Sequence, residues 1–116
     1  NYLHAGGKIG VMVDAEGDYD EALLRDVCMH VAAMSPSFVN PEDVPADEVS
    51  KEKDLAAEKH QGKPENIVEK ILIGHINKWY SDICLSKQSW FKDDKSSLEK
   101  LAPKLTIKRF ARLQAG

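Results

Sequence analysis

Gly62-Lys63-Pro64 narrows the folds open to this chain more than any other feature, because it separates two long helix-compatible segments by a very short turn. Proline cannot continue a helix behind it, yet its fixed φ suits the opening of the next one. The stretch from Ala46 to about His60 is strongly charged and weakly apolar, with Pro45 placed for its first turn and Val49, Leu55 and Ala56 as its candidates for burial. Pro64-Glu65 opens a second helix whose apolar positions Val68, Leu72, Ile76, Trp79 and Ile83 recur at three and four residues. Two helices joined so closely must run antiparallel. Residues 41–85 are therefore expected to form an inserted arm, a protruding two-helix hairpin. One side of its second helix is greasier than the first helix can cover, which makes Leu72, Ile76, Trp79 and Ile83 candidates for self-association.

Outside the arm, the pattern is that of a small sheet with a helix laid over it. Tyr2-Leu3-His4 and Lys8 to Val13 flank Ala5-Gly6-Gly7, and a Gly-Gly pair between β-prone segments supplies the positive φ of a tight hairpin. Ile9, Val11 and Val13 alternate, so they share one face and turn it toward the core. Asp18-Tyr-Asp-Glu21 has the form of a capping box with Asp18 as the cap. Leu23, Val27, Val31 and Met34 follow at helical spacing, Leu24 and Cys28 widen the stripe, and Ser35-Pro36 stops the helix. Beyond Leu85 the chain reads as irregular through Asp94, then as a short helix from Ser97 to Lys100 or Leu101, ending near Pro103. Thr106 to Leu113 is the expected last strand, with Leu105, Ile107, Ala111 and Leu113 on one side and Phe110 on the other. Strands near both ends with helices between them imply an α+β fold, a small antiparallel sheet of about three strands packed by helices.

Composition excludes several classes of function. With 116 residues, 42% of them hydrophobic, the chain is one domain's worth with a modest core. A formal net charge of −3 argues against general nucleic-acid binding. No apolar run approaches the roughly 18 residues a bilayer requires, and no secretory signal is visible. Cys28 and Cys84 are too far apart for a zinc-finger pattern. Buried, unpaired thiols in a reducing compartment are the expected state, with a disulfide or a reactive thiol as alternatives.

No constellation of polar residues commits the chain to covalent chemistry. His4, His30, His60 and His75 do not occur at ligand spacing with a second His or a Cys pair, so no metal site and no cofactor are expected. Asp26 and His30, four apart on one helix face, could form an acid/base pair or half a metal site, but an ordinary helix hydrogen bond or ion pair is the favoured reading. No phosphate-binding loop or dinucleotide fingerprint is present. Trp90-Phe91 with Lys87 and Lys92 is an aromatic-basic cluster that could stack on single-stranded bases or form a protein-binding hot spot, and the second is favoured. Lys104, Lys108, Arg109 and Arg112 invite an RNA-binding reading, against which stands a solvated strand edge that discourages edge pairing.

Three segments carry a family resemblance. Asp26-Val-Cys-Met-His-Val-Ala-Ala-Met-Ser-Pro36, Pro41-Glu-Asp-Val-Pro45 and Gly62-Lys-Pro-Glu-Asn-Ile-Val-Glu-Lys70 are similar, in order and spacing, to the motifs of elongation factor Ts. Those motifs are Asp-Leu-Ala-Met-His-Ile-Ala-Ala-Met-x-Pro, Glu-Asp-Val/Ile-Pro and Gly-Lys-Pro-x-x-Ile-x-Glu-Lys. The resemblance runs from Tyr2 to about Gly116. It implies a non-enzymatic module that binds the translational GTPase elongation factor Tu and contributes to guanine-nucleotide exchange, in a bacterial cytoplasm, a mitochondrion or a plastid stroma.

The family's N-terminal helical domain and the core half bearing Thr-Asp-Phe-Val have no counterpart here, and the chain opens at Asn1 without an initiator Met. It is thus expected to be the second core half with its hairpin, 1–116, cut from a longer protein or drawn from a diverged member. Such a half anchors on the GTPase rather than displacing nucleotide. Tyr19, which follows Asp18 as Phe follows Asp in the missing half, is not taken as its equivalent. Gln88-Ser-Trp-Phe-Lys-Asp93 resembles the family's Gln-Pro-Phe-Val-Lys/Met-Asp/Glu loop, whose apolar residues touch the GTPase. By position this implies partner contacts at Trp90, Phe91 and Lys92, and Tyr2-Leu-His4 adds His4. Ser89 and Trp90 depart from the family's Pro and Phe, and Arg109-Phe-Ala-Arg-Leu-Gln114 stands where the family has Arg-Phe-x-Arg-Phe-Glu. Homodimerisation through the hairpin is the alternative role, and RNA binding a weaker one.

Overall fold

The structure, a computed structural model, describes residues 2–4 and 9–114, with the side chains of Tyr2 and His4 outside the described part. The expected Gly-Gly turn also lies outside the described residues. Strands β1 (Tyr2–His4), β2 (Ile9–Gly17) and β5 (Leu105–Gln114) form an antiparallel sheet in the order β1-β2-β5. Between β2 and β5 run α1 (Glu21–Met34), α2 (Ala46–Glu58), α3 (Glu65–Ile83), a small β3–β4 pair (Ser89–Trp90, Asp93–Ser97) and the single turn α4 (Leu98–Leu101).

Helix α1 covers the sheet. Val27, Cys28, Val31 and Ala32 pack into one cluster with Val11 of β2, Ile107 of β5, Val39, Leu85, Trp90 and Leu98. Burying each branched side chain stabilises the fold by about 1.5–3 kcal/mol. The expected stripe is displaced at its end: Met34 is 41% exposed, and His30 and Ala32 take the buried positions instead. The cap also differs from expectation. Asp20, not Asp18, accepts the Leu23 N–H at 2.7 Å, because β2 runs on to Gly17 and the Asp18 N–H is bound to the Lys104 carbonyl at 3.3 Å. Ser35, in the left-handed region at φ 46°, closes the helix with its N–H on the Val31 carbonyl. Arg112 of β5 donates to the Ala32 carbonyl at 3.2 and 3.3 Å, adding a cation where the helix dipole is negative.

The last strand corrects a sequence expectation. Asp14 pairs with Arg109 and Ala15 with Ile107, so β5 carries one residue more than β2 at this point. A bulge of this kind reverses the inward-outward alternation beyond it. Leu105 and Ile107 face the core as expected, but past the bulge Phe110 and Arg112 turn inward, while Ala111 and Leu113 are exposed. The segment after Leu85 is likewise more regular than expected, since β3 and β4 pair across it.

Both helices of the arm begin directly after a proline, Pro45 or Pro64, whose carbonyl accepts the first helical N–H bonds. Ala56 on α2 and Ile76 on α3 are buried, Leu55 is 56% exposed, and Glu52 and His75 join the helices at 2.9 Å. Where the arm leaves and rejoins the body, Phe38 bridges Cys84 in parallel, Leu85 donates to the Phe38 carbonyl and Ser86 to the Val39 carbonyl. Cys28 and Cys84 are buried free thiols. Burial raises both thiol pKa values, Cys84 to about 11 with help from Asp43 and Glu42, so both stay protonated and unreactive near neutrality.

Candidate docking site at the β3–β4 tip

Helix α1 presents two polar side chains on one face, Asp26 and His30, one turn apart. They do not bond to each other. Both reach the turn that joins β3 to β4, where Phe91 and Lys92 stand between the paired residues Trp90 and Asp93. Asp26 holds Lys92 in an ion pair at 3.0 Å, and the Lys92 ammonium lies 5.7 Å from the Phe91 ring centroid. His30 is fully buried and holds the backbone: the Phe91 N–H donates to its Nδ1 at 3.2 Å.

That bond fixes the tautomer, because a nitrogen that accepts cannot also carry the ring's proton. The proton sits on Nε2, which donates to Gln88 Oε1 at 2.9 Å. Gln88, 1% exposed, turns its amide nitrogen to the Met34 carbonyl at 3.3 Å and the Asp82 carbonyl at 3.0 Å. One buried network thus ties the end of α1, the end of α3 and the tip together, and every bond has a partner of the opposite kind. Burial holds the His30 pKa below its usual 6.5, opposed in part by Gln88, and the ring stays neutral.

Aromatic packing completes the seat. Trp90 stacks on His30 with centroids 5.0 Å apart and planes 10° apart, and Phe91 meets both rings edge-on, at 5.0 Å from Trp90 and 5.9 Å from His30. Of the residues the sequence singled out, Trp90 is 5% exposed and belongs to the core, Phe91 is half-buried, and Lys92 is exposed. Trp90 therefore supports the tip from beneath, and Phe91 with Lys92 forms its outer surface. The His4 side chain lies outside the described part. In the arm, Ile76 is buried and Leu72, Trp79 and Ile83 are half-buried, so that stripe is less open than its sequence suggested. The most exposed large apolar side chain there is Ile73, at 64%, ahead of Leu55 and Ile67, and it lies in a groove of about 370 Å³ with Leu72, Ile76, Lys53, Glu69 and Asn77.

The sequence did not reveal that Asp26, His30 and Gln88 act together. The four-residue spacing of Asp26 and His30 was the available signal, and it pointed to their shared target rather than to a bond between them. At the other end of the chain, Lys108 pairs with Glu16 at 2.9 Å, Arg109 with Asp14 at 3.2 Å, and Arg112 with the Ala32 carbonyl. These partners favour the solvated-edge reading of the basic strand over an RNA-binding one.

A sequence model described as elongation factor TS matches residues 1–116. The chain belongs to the elongation factor Ts family. It is 41% identical to elongation factor Ts of Geobacter sulfurreducens over all of this chain and 62% of that protein. Against the Trichlorobacter lovleyi protein of the same name it is 44% identical, over all of this chain and 43% of that protein. Against that of Nautilia profundicola it is 47% identical, over 81% of this chain and 33% of that protein. The chain thus spans less than two thirds of the length of these elongation factor Ts relatives.

Proposed function

We propose that this chain is the docking module of a translation elongation factor, seated on an elongation factor Tu-type GTPase through Phe91 and Lys92. The observation that carries this reading is the tip itself: an aromatic ring and a cation whose backbone is held in place before any partner arrives. Preorganisation lowers the ordering cost of association, and an aromatic anchor with a charged rim is the usual composition of a binding hot spot. The family resemblance adds His4 to the proposed contacts, and Trp90 acts by holding the tip. The named relatives are bacterial, which favours a bacterial cytoplasm as the place of action.

The role is exchange by linkage rather than covalent catalysis. A factor that weakens nucleotide affinity is itself bound more weakly, by the same ratio, when nucleotide is present. Contacts that differ between the two states are needed for that ratio to depart from one, and the family resemblance assigns these mainly to the half bearing Thr-Asp-Phe-Val rather than to the half that this chain matches. The module therefore anchors. Titrated against nucleotide-free and GDP-bound elongation factor Tu, it is expected to bind both while leaving fluorescent-GDP release within about twofold of the spontaneous rate. Strong acceleration by this chain alone would overturn the anchoring role.

Self-association through the arm is a second reading, favoured by the Ile73 groove with Lys53 and Glu69 at its rim. Opposite charges flanking an apolar strip suit a two-fold contact, in which each rim charge meets its opposite on the second copy. Ile73→Glu is the informative substitution, since Ile76 is buried and its replacement would disturb the hairpin itself. It should abolish any dimer seen by sedimentation with helix content unchanged; an undiminished dimer would place self-association elsewhere.

A further inference from the structure

Resting on the docking reading above, we propose that His30 is the positioning residue of the tip, and that protonating its ring releases Phe91 and Lys92 from their seat. The geometry makes the tip depend on a neutral imidazole. Nδ1 accepts the Phe91 N–H at 3.2 Å, and Nε2–H donates to Gln88 at 2.9 Å. An added proton goes to Nδ1, where it removes the acceptor and sets one donor against another. Gln88 cannot turn to compensate, because its amide nitrogen already serves the Met34 and Asp82 carbonyls. Trp90, stacked at 5.0 Å, would keep the cation from water.

Among the described residues, the charged groups on the surrounding elements leave the ring without a counter-ion. Asp26, one turn back on α1, is engaged by Lys92 of the tip. Arg112 of β5 is bonded to the Ala32 carbonyl, and Asp82 at the end of α3 meets the network through its carbonyl alone. Gln88 and Trp90 are neutral. The direction of the effect follows from the buried ring's lowered pKa. While His30 is seated it resists protonation, and once released it titrates near the ordinary 6.5. The seated state thus has its full advantage above that value and loses it as the pH falls below.

The experiment has a partner-free arm and a partner arm. In the isolated chain, the Phe91 amide and the His30 ring are followed by NMR from about pH 7.5 to about pH 5.5. They should shift together with a midpoint below the ordinary 6.5, with a lower protection factor for the Phe91 amide relative to its intrinsic exchange rate, while the amides of Val27 and Val31 remain protected. A Phe91 amide that stays fixed while His30 titrates overturns the proposal.

In the partner arm, affinity for nucleotide-free elongation factor Tu should fall over the same range by no more than about tenfold, the most by which one histidine released at its ordinary pKa can shift the seat. His30→Asn, which keeps an acceptor oxygen near the Nδ1 position but has no titrating ring, should flatten that dependence. A dependence unchanged in His30→Asn overturns the proposal, and where that variant does not fold the wild-type NMR titration decides. If the tip is released by acid but Phe91→Ala leaves partner affinity unchanged, the docking reading fails and the proton-sensitive seat stands.

Discussion

Replacing Trp90 with Ala should lower the stability of this domain by about 3–5 kcal/mol, the range for emptying a buried aromatic site. The side chain is 5% exposed, stacks on His30 and meets Phe91 edge-on. Its removal opens a cavity beside a buried polar network, so water would compete for the His30 and Gln88 bonds as well. Domains of this kind have about 5–15 kcal/mol in total, so the variant would be marginal. The measurement is a urea titration followed by far-UV circular dichroism. Trp90→Phe, the residue that the family motif carries here, should avoid most of the loss, since an aromatic ring remains against His30. A change below about 1 kcal/mol for Trp90→Ala would contradict the packing described.

Gly17→Ala is the second large effect. Gly17 closes β2 at φ +100°, and a Cβ there would stand 2.1 Å from the Lys104 carbonyl oxygen and 3.2 Å from its carbon. Both neighbours are backbone, so no side chain can swing away. Backbone strain of about 1–3 kcal/mol adds to an overpacking cost of similar size, for an expected loss of about 2–6 kcal/mol. Gly62, at φ +87° with open space around it, is the control. Gly62→Ala should cost only about 1 kcal/mol, the left-handed preference alone. Thermal unfolding of the two variants separates strain from clash. Equal losses would mean that the close approach of Lys104 has no energetic weight.

The arm was legible because its determinants are local. Gly62-Lys63-Pro64 breaks the chain, the apolar spacing defines α3, and a short turn leaves only the antiparallel arrangement. The same holds for α1 and for the alternation of Ile9, Val11 and Val13, where period and burial coincide. The candidate site was only half legible. Trp90, Phe91 and Lys92 stood out by composition, yet nothing local says which of two adjacent aromatics faces inward. That depends on His30, 60 residues away in sequence from Trp90, and on the carbonyls that Gln88 must satisfy.

The sequence by itself determined the family, the α+β class, the two-helix arm and the apolar face of β2, since each follows from residue order over a few turns or strands. Tertiary structure alone decided the β5 bulge, which exchanges Phe110 and Arg112 for Ala111 and Leu113 on the core side, because strand register is set by the partner strand and not by the alternation within one. It also decided the pairing of β3 with β4 and the burial of Trp90. The reason is the same: a side chain's exposure is fixed by what distant segments bring against it, and only the folded chain assembles α1, Gln88 and the tip at one point.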